Sequence, residues 1–402
     1  MVVTPTVRNH AANFAAVQPV SYEPDQHPLP DAELGTKPRS TETSDLIFRG
    51  LLEADAQCLA AKHTSTANLL DQENGVPSGP QKHPRLKKST ADPASSLRHQ
   101  LRESTALELR NRSAADALER FFQLADAEAR AEVLRQALPM VDQLHDLAAK
   151  AKAAGVRAYP IEPDESDRQR SQLQAQIDEA ETNIRILNVD LRRRVGLPWA
   201  AGERLWPTGS FAVISDALDE DAAVQGALSN RPELQGLRAL EAGMTAESLP
   251  AVREMLRTIN PLLGGSTPNP LAMSPIHTVI SRFCADPGDA AAELAQRRQQ
   301  AHDLRLERER AVSDEARAAA IKLNAQVTRI ALVRGRVESL KLKMDEARKQ
   351  RQANLVGSDL MEAQAKLDWL KARAELVAEA MAWHQARIRL KAAQGLLAME
   401  CQ

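Results

Sequence analysis

The side chains that could do chemistry in this sequence stand apart from one another. His384 could ligate a metal, but no second ligand stands four residues away, so a packed, hydrogen-bonded histidine or a pH-sensitive contact is the favoured reading. Gly264-Gly265-Ser266 has the glycines of a phosphate loop, yet no Lys-Ser/Thr follows and no helix opens there. The run Arg192-Arg193-Arg194 ends a helix, where positive charge suits the dipole. It lacks the stacking aromatics of a nucleic-acid site. Cys58, Cys284 and Cys401 show no metal or redox spacing, and their odd number argues against a disulfide framework. The sequence therefore predicts no enzyme, no metal and no cofactor.

What must be positioned instead is a set of helix faces. From Asp359 to Leu397, the residues Leu360, Ala363, Leu367, Leu370, Ala374, Val377, Met381, His384 and Ile388 alternate spacings of three and four. That seven-residue repeat drives left-handed supercoiling against a partner. A second series, Trp369, Ala372, Leu376, Glu379, Trp383, Ala386, Leu390, Ala393 and Leu397, is offset by two residues. The two series lie about 150° apart around the helix. A helix with two nearly opposed seams has a neighbour on each side. The faces between are polar, with Lys366, Arg373 and Arg387 on one and Asp368, Lys371, Glu375, Gln385 and Arg389 on the other. Such a helix suits a wall wet on both surfaces, whereas the middle helix of a solid bundle has an apolar inner face throughout.

Composition agrees with extended helices. Aromatic residues are 3% of the chain, and Ala, Leu, Arg, Glu and Gln dominate. A formal net charge of −2 gives no electrostatic case for nucleic acid or an anionic membrane. No run of 18 or more apolar residues reads as a transmembrane helix. Residues 1–44 read as a disordered N-terminal segment without the apolar core of a signal peptide.

Residues 45–198 then read as a first helical hairpin repeat. A helix over Asp45–Glu73 with Ser44 as its cap precedes a proline-bearing linker, Gly75–Pro93. A long helix over Ser96–Ala154 follows, with Pro139 bending it. Gly155 closes that helix, Val156–Glu165 turns, and Ser166 restarts a helix that Gly196-Leu197-Pro198 stops. Residues 199–229 read as a linker containing Trp199, Trp206 and a short helix over Asp216–Leu228. Residues 230–397 form the second repeat. It opens at Asn230-Arg231-Pro232-Glu233-Leu234 with proline at the first helical position, passes Asn260–Gly288, and enters a second long helix over Asp289–Gln352. Residues 398–402 are a tail. A shift of 199 residues lays Gly155 on Asn354, Leu191 on Leu390, Gly196 on Gly395 and Leu197 on Leu396. The fold class expected is all-α: one long antiparallel, coiled-coil-like hairpin unit, duplicated.

Four of these segments carry a family likeness. Leu187-Asn188 through Gly196-Leu197-Pro198, Asn230–Leu234, Asp359–Gln364 and Ala386–Gly395 together make the chain resemble the TolC-like outer membrane efflux proteins over residues 45–397. The resemblance implies a TolC-type helical barrel and a homotrimeric periplasmic tunnel. It implies a periplasmic adaptor and an inner-membrane pump as partners in efflux or type I secretion, and a place in the cell envelope. It also implies docking at the hairpin tips, assigned to Gly155, Val156, Asn354, Gly357, Ser358 and Asp359, although Asp359 could equally serve as a helix cap. The chain departs from the family where Ala353-Asn354 replaces the usual glycine. It departs again at Gly75–Pro93 and Asn260–Gly288, which lack the alternating runs of about 9–11 residues that spanning strands need. Little or no β-barrel is expected. The alternative reading is a non-transport coiled-coil scaffold of the envelope. The adaptor itself is a weaker match, because adaptors flank a single hairpin with β-rich domains.

Overall fold

The structure is a computed structural model that describes residues 47–75, 93–153, 163–199, 202–209, 211–213, 216–259, 287–353 and 357–401. Among these run β1 (Ile47–Leu52), α1 (Glu53–Lys62), α2 (Ser65–Gly75), α3 (Pro93–Ala153), α4 (Pro163–Arg194) and β2 (Glu203–Thr208). Then come α5 (Glu220–Asn230), α6 (Pro232–Ala242), α7 (Leu249–Ile259), α8 (Pro287–Gln352), α9 (Ser358–Ala393) and a closing 3-10 turn, Met399–Cys401. The long helices α3 and α8 have 61 and 66 residues, and their returning partners α4 and α9 have 32 and 36. The hairpin is thus duplicated. Its two returning helices also end alike. Gly196 has φ 70° and Gly395 φ 72°, and each donates its N–H to the carbonyl three residues back, Arg193 at 3.3 Å and Ala392 at 3.0 Å. These left-handed closures are the glycines that the 199-residue shift superposes.

The chain divides into two compact units. The first gathers Met1–Ala60, Ser113–Glu220 and Ala318–Lys391. In it four helices lie side by side in the order α8, α9, α3, α4. Val133, Ala137, Val141 and Leu144 of α3 close on Ala363, Leu367 and Leu370 of α9, with Leu173 of α4 packed against them. Arg336–Glu375 and Arg351–Glu362, both at 2.8 Å, tie α8 to α9. Arg389–Glu119 at 2.6 Å ties α9 to α3. Arg170–Asp142 at 2.7 Å and Arg120–Asp190 at 2.8 Å tie α3 to α4. The two seams of α9 have therefore found their two neighbours within one chain, α3 on one side and α8 on the other.

Within the same unit β1 and β2 form a two-stranded parallel sheet, Ile47 opposite Glu203 and Leu52 opposite Thr208. This corrects the expected helix over Asp45–Glu73 and the expected loop at Trp206. Phe48 stands three and four residues before Leu51 and Leu52, a spacing that fits a helix locally. The strand wins because a partner some 150 residues away supplies ladder bonds, and Phe48 meets the Trp206 ring edge-to-face at 5.6 Å. Asn188 of α4 holds the other edge of β2. Its amide donates to the Leu205 carbonyl at 3.0 Å and accepts the Leu205 N–H at 2.8 Å.

The second unit gathers Ala61–Arg112, Asp221–Arg317 and Ala392–Gln402. The short helices α5–α7 bury Val224, Ala227, Leu234, Leu240, Val252 and Leu256 against α3 and α8. Pro232 opens α6 as expected. Arg231, Glu233, Arg308 and Glu315 close a ring of alternating charge, with contacts of 2.9, 2.8, 3.5 and 2.8 Å. Arg231 also donates to the Ala392 carbonyl at 3.1 Å, which accepts from Asn111 at 2.9 Å as well. A Cβ placed on Gly395 would stand 3.0 Å from Pro232 Cδ. Two segments that carried the likeness, Asn230–Leu234 and Ala386–Gly395, thus meet.

Further boundaries differ from expectation. α4 begins at Pro163 rather than Ser166, because proline suits the first helical position. The Ser166 hydroxyl instead lies 3.1 Å from His145 Nδ1. The linker helix spans Glu220–Asn230 rather than Asp216–Leu228. Cys58 and Cys401 are each disulfide-bonded, whereas the odd number of cysteines argued against a disulfide framework. The segment 1–44, Gly155, Val156, Asn354, Cys284, Gly264–Ser266 and most of the stretches Gly75–Pro93 and Asn260–Gly288 lie outside the described residues. Two strands and no closed barrel occur among the described residues.

Candidate functional site

At the turn between α8 and α9 three expected docking residues come together. Gly357 sits at φ 81° with open space where a Cβ would stand. Its carbonyl accepts the Met361 N–H at 3.3 Å. Ser358 is buried, and Asp359 points outward and pairs with Arg351 across the turn at 2.7 Å. Arg351 also binds Glu362, and the hydrogen bond to Glu362, with the fields of Glu362 and Asp359, raises its guanidinium pKa. Asp359 is therefore an exposed cross-turn ion pair and not only a first-turn acid for the dipole. Such a pair contributes little to stability and leaves a charged, accessible rim.

His384 is enclosed in α9. Its ring stacks on Phe122 at 4.7 Å and 10°, and Phe211 and Trp383 stand edge-on at 5.9 and 4.9 Å. Burial, aided by the field of Arg387 and opposed by the Phe211 backbone, lowers its pKa to about 3. No metal-ligating cluster occurs among the described residues. The ring is packed as expected, but neither of its nitrogens makes a well-formed hydrogen bond.

The sequence reading missed two further stripes. On α8, Ile321, Ala325, Thr328, Leu332, Gly335, Ser339 and Leu342 follow the 4–3 repeat, and all are exposed. Leu332 and Leu342 are 71% and 70% accessible, and no other group lies within 4 Å of where a Gly335 Cβ would be. On α4, Arg168, Gln172, Ala175, Glu179, Thr182, Ile186 and Val189 repeat the same spacing, exposed throughout. These are the two outer helices of the four-helix layer. The signal was present as a third and fourth heptad series, weakened by small and polar members.

Solved structures share this fold. The chain aligns with CusC at 15% identity and a TM-score of 0.56, over 89% of this chain and 95% of that one. It aligns with the Campylobacter jejuni CmeC outer membrane channel at 11% and 0.54, over 85% of each. It aligns with the outer membrane protein VceC of Vibrio cholerae at 14% and 0.52, over 85% and 94%. The fold is that of the TolC-type outer membrane channels. No protein-family model and no curated protein sequence matches the chain. CmeC is described as an outer membrane channel, and CusC in terms of transmembrane channel formation.

Proposed function

We propose that the chain builds the periplasmic wall of an export conduit, as a homotrimer in the cell envelope that works with an adaptor protein and an inner-membrane pump. The observation that carries this reading is the pair of uncovered stripes on α4 and α8. An uncovered heptad face, apolar and small on α8 and mixed polar and apolar on α4, is a seam that a facing helix fills. Two different faces at opposite edges of one layer make a head-to-tail contact, which closes into a ring when the rotation permits. Gly335 supports it, since a mid-helix glycine costs about 1 kcal/mol relative to alanine and no neighbour among the described residues requires it. The acidic start of α4, Glu165 and Asp167, complements the basic end of α8, Lys343, Arg348 and Lys349. The conduit reading also rests on the shared fold.

The connection between Gly75 and Pro93, residues 76–92, has 17 residues. Two spanning strands of about 9–11 residues and a turn need more. The chain is accordingly read as a tunnel wall that forms no bilayer pore by itself. Light scattering on the purified protein should return three chain masses of 44.0 kDa each, and Leu332→Glu should return one. The same trimer should carry no steady current in planar bilayers. A wild-type monomer at micromolar concentration sinks the trimer, and a stable single-channel current sinks the pore-free reading.

The short 76–92 connection also favours a second reading, a non-transport scaffold of the envelope. Asp359→Ala separates the two. Its side chain makes only an exposed pair, so the melting temperature should barely move. Loss of export or adaptor capture then supports the conduit, and unchanged export favours the scaffold.

A further inference from the structure

Just beyond β2, Phe211, 1% exposed, packs its ring against residues of α3 and α9. Phe211 stacks with Phe121 at 6.3 Å and 23°, meets Phe122 edge-on at 6.1 Å, and covers the His384 ring. Four aromatic rings therefore share one nest with an imidazole that is itself 1% exposed. An imidazolium there would lose its hydration and gain only ring faces and a poorly aligned backbone group.

We propose that His384 is a pH-gated clasp, holding the Phe211 segment against α3 and α9 while neutral and releasing it when protonated. The proposal does not depend on the export reading.

The charged surroundings fix the direction. On α9 the guanidinium of Arg387 adds a repulsive field, moderated by its 2.5 Å pair with Glu53 of α1. α3 presents Phe122 to the ring, with Phe121 behind it against Phe122 and Phe211. Its nearby charges are engaged elsewhere, Glu119 with Arg389, Arg120 with Asp190, and Asp126 with Arg130. Burial raises the Asp126 carboxyl, so its protonation in acid favours the closed state and works against the clasp's opening. The segment itself contributes Phe211 and no charge at the ring. For a base whose closed-state pKa is depressed, stability is complete above the ordinary pKa near 6.5 and is lost as pH falls toward about 3. At pH 5 ordinary carboxylates remain charged, so this window belongs to the histidine.

The linkage predicts that the opening constant of the Phe211 segment rises about 30-fold between pH 7.5 and pH 5. Hydrogen exchange on the full chain, with protection factors corrected for the intrinsic pH dependence of exchange, reads this at Phe211 and Ala212. Wild type should lose about 30-fold protection there while the middle of α9 keeps its own. His384→Phe should remain folded, with an added aromatic ring in an aromatic nest, and its protection should be flat across the interval. Should His384→Phe not fold, His384→Leu replaces it with the same expectation. Flat protection in wild type overturns the clasp. So does an equal drop in the histidine-free variant, and so does a loss spread over all helices, which would mean global acid unfolding.

Discussion

Two glycines with nearly the same backbone conformation separate conformational cost from packing cost. Gly357 and Gly395 have φ 81° and 72°. A side chain on Gly357 meets open space, whereas one on Gly395 meets Pro232 Cδ at 3.0 Å, the Asn230 carbonyl at 3.1 Å and Arg231 Cα at 3.2 Å. Gly357→Ala should cost about 1–2 kcal/mol for the left-handed conformation alone. Gly395→Ala should cost at least about 1 kcal/mol more, because backbone must move. Chemical denaturation of the two variants measures the difference, and equal losses would mean that the segments around Arg231 and Gly395 are not in contact. His384 belongs to this scale too. Its position on a seam was legible in the sequence. The three rings that enclose it were not, because Phe122 and Phe211 come from segments more than 170 residues away.

At the scale of elements, the long helices were the most legible part, since periodicity over 30 or more residues averages out local ambiguity. α3, α4, α8 and α9 fall within a few residues of their expected limits. The strands β1 and β2 were not legible. Each is six residues long, and each exists because the other and the Asn188 amide are there. The sequence window around Ile47 contains neither. The stripes on α4 and α8 were overlooked for another reason. Stronger seams on the same helices, such as Leu323, Ile330 and Val337, all buried, drew the reading, while the second set is rich in Ala, Thr, Ser and Gly. Gly335 makes that second set testable. In the isolated chain Gly335→Ala should stabilise α8 by up to about 1 kcal/mol, since the added methyl meets nothing. In the assembled protein the gain should shrink or reverse, because small residues at a seam let helices approach closely. Denaturation of wild type and variant above and below the assembly concentration checks this, and an undiminished gain in the assembly would place Gly335 outside the contact.

For the whole molecule the central claim is that the α4 edge of one copy receives the α8 edge of the next. An isologous contact, α8 on α8, would stop at two chains, whereas a head-to-tail contact that closes stops at the ring number. Ile186 on α4 and Thr328 on α8 lie in the exposed stripes, part-way along helices that run in opposite directions. The most direct measurement is thiol cross-linking of the Ile186→Cys/Thr328→Cys double variant. It should give a ladder of one, two and three chains that ends at three, and neither single variant should cross-link. Cross-linking by a single variant, a product that ends at two chains, or a ladder that continues past three would contradict the account.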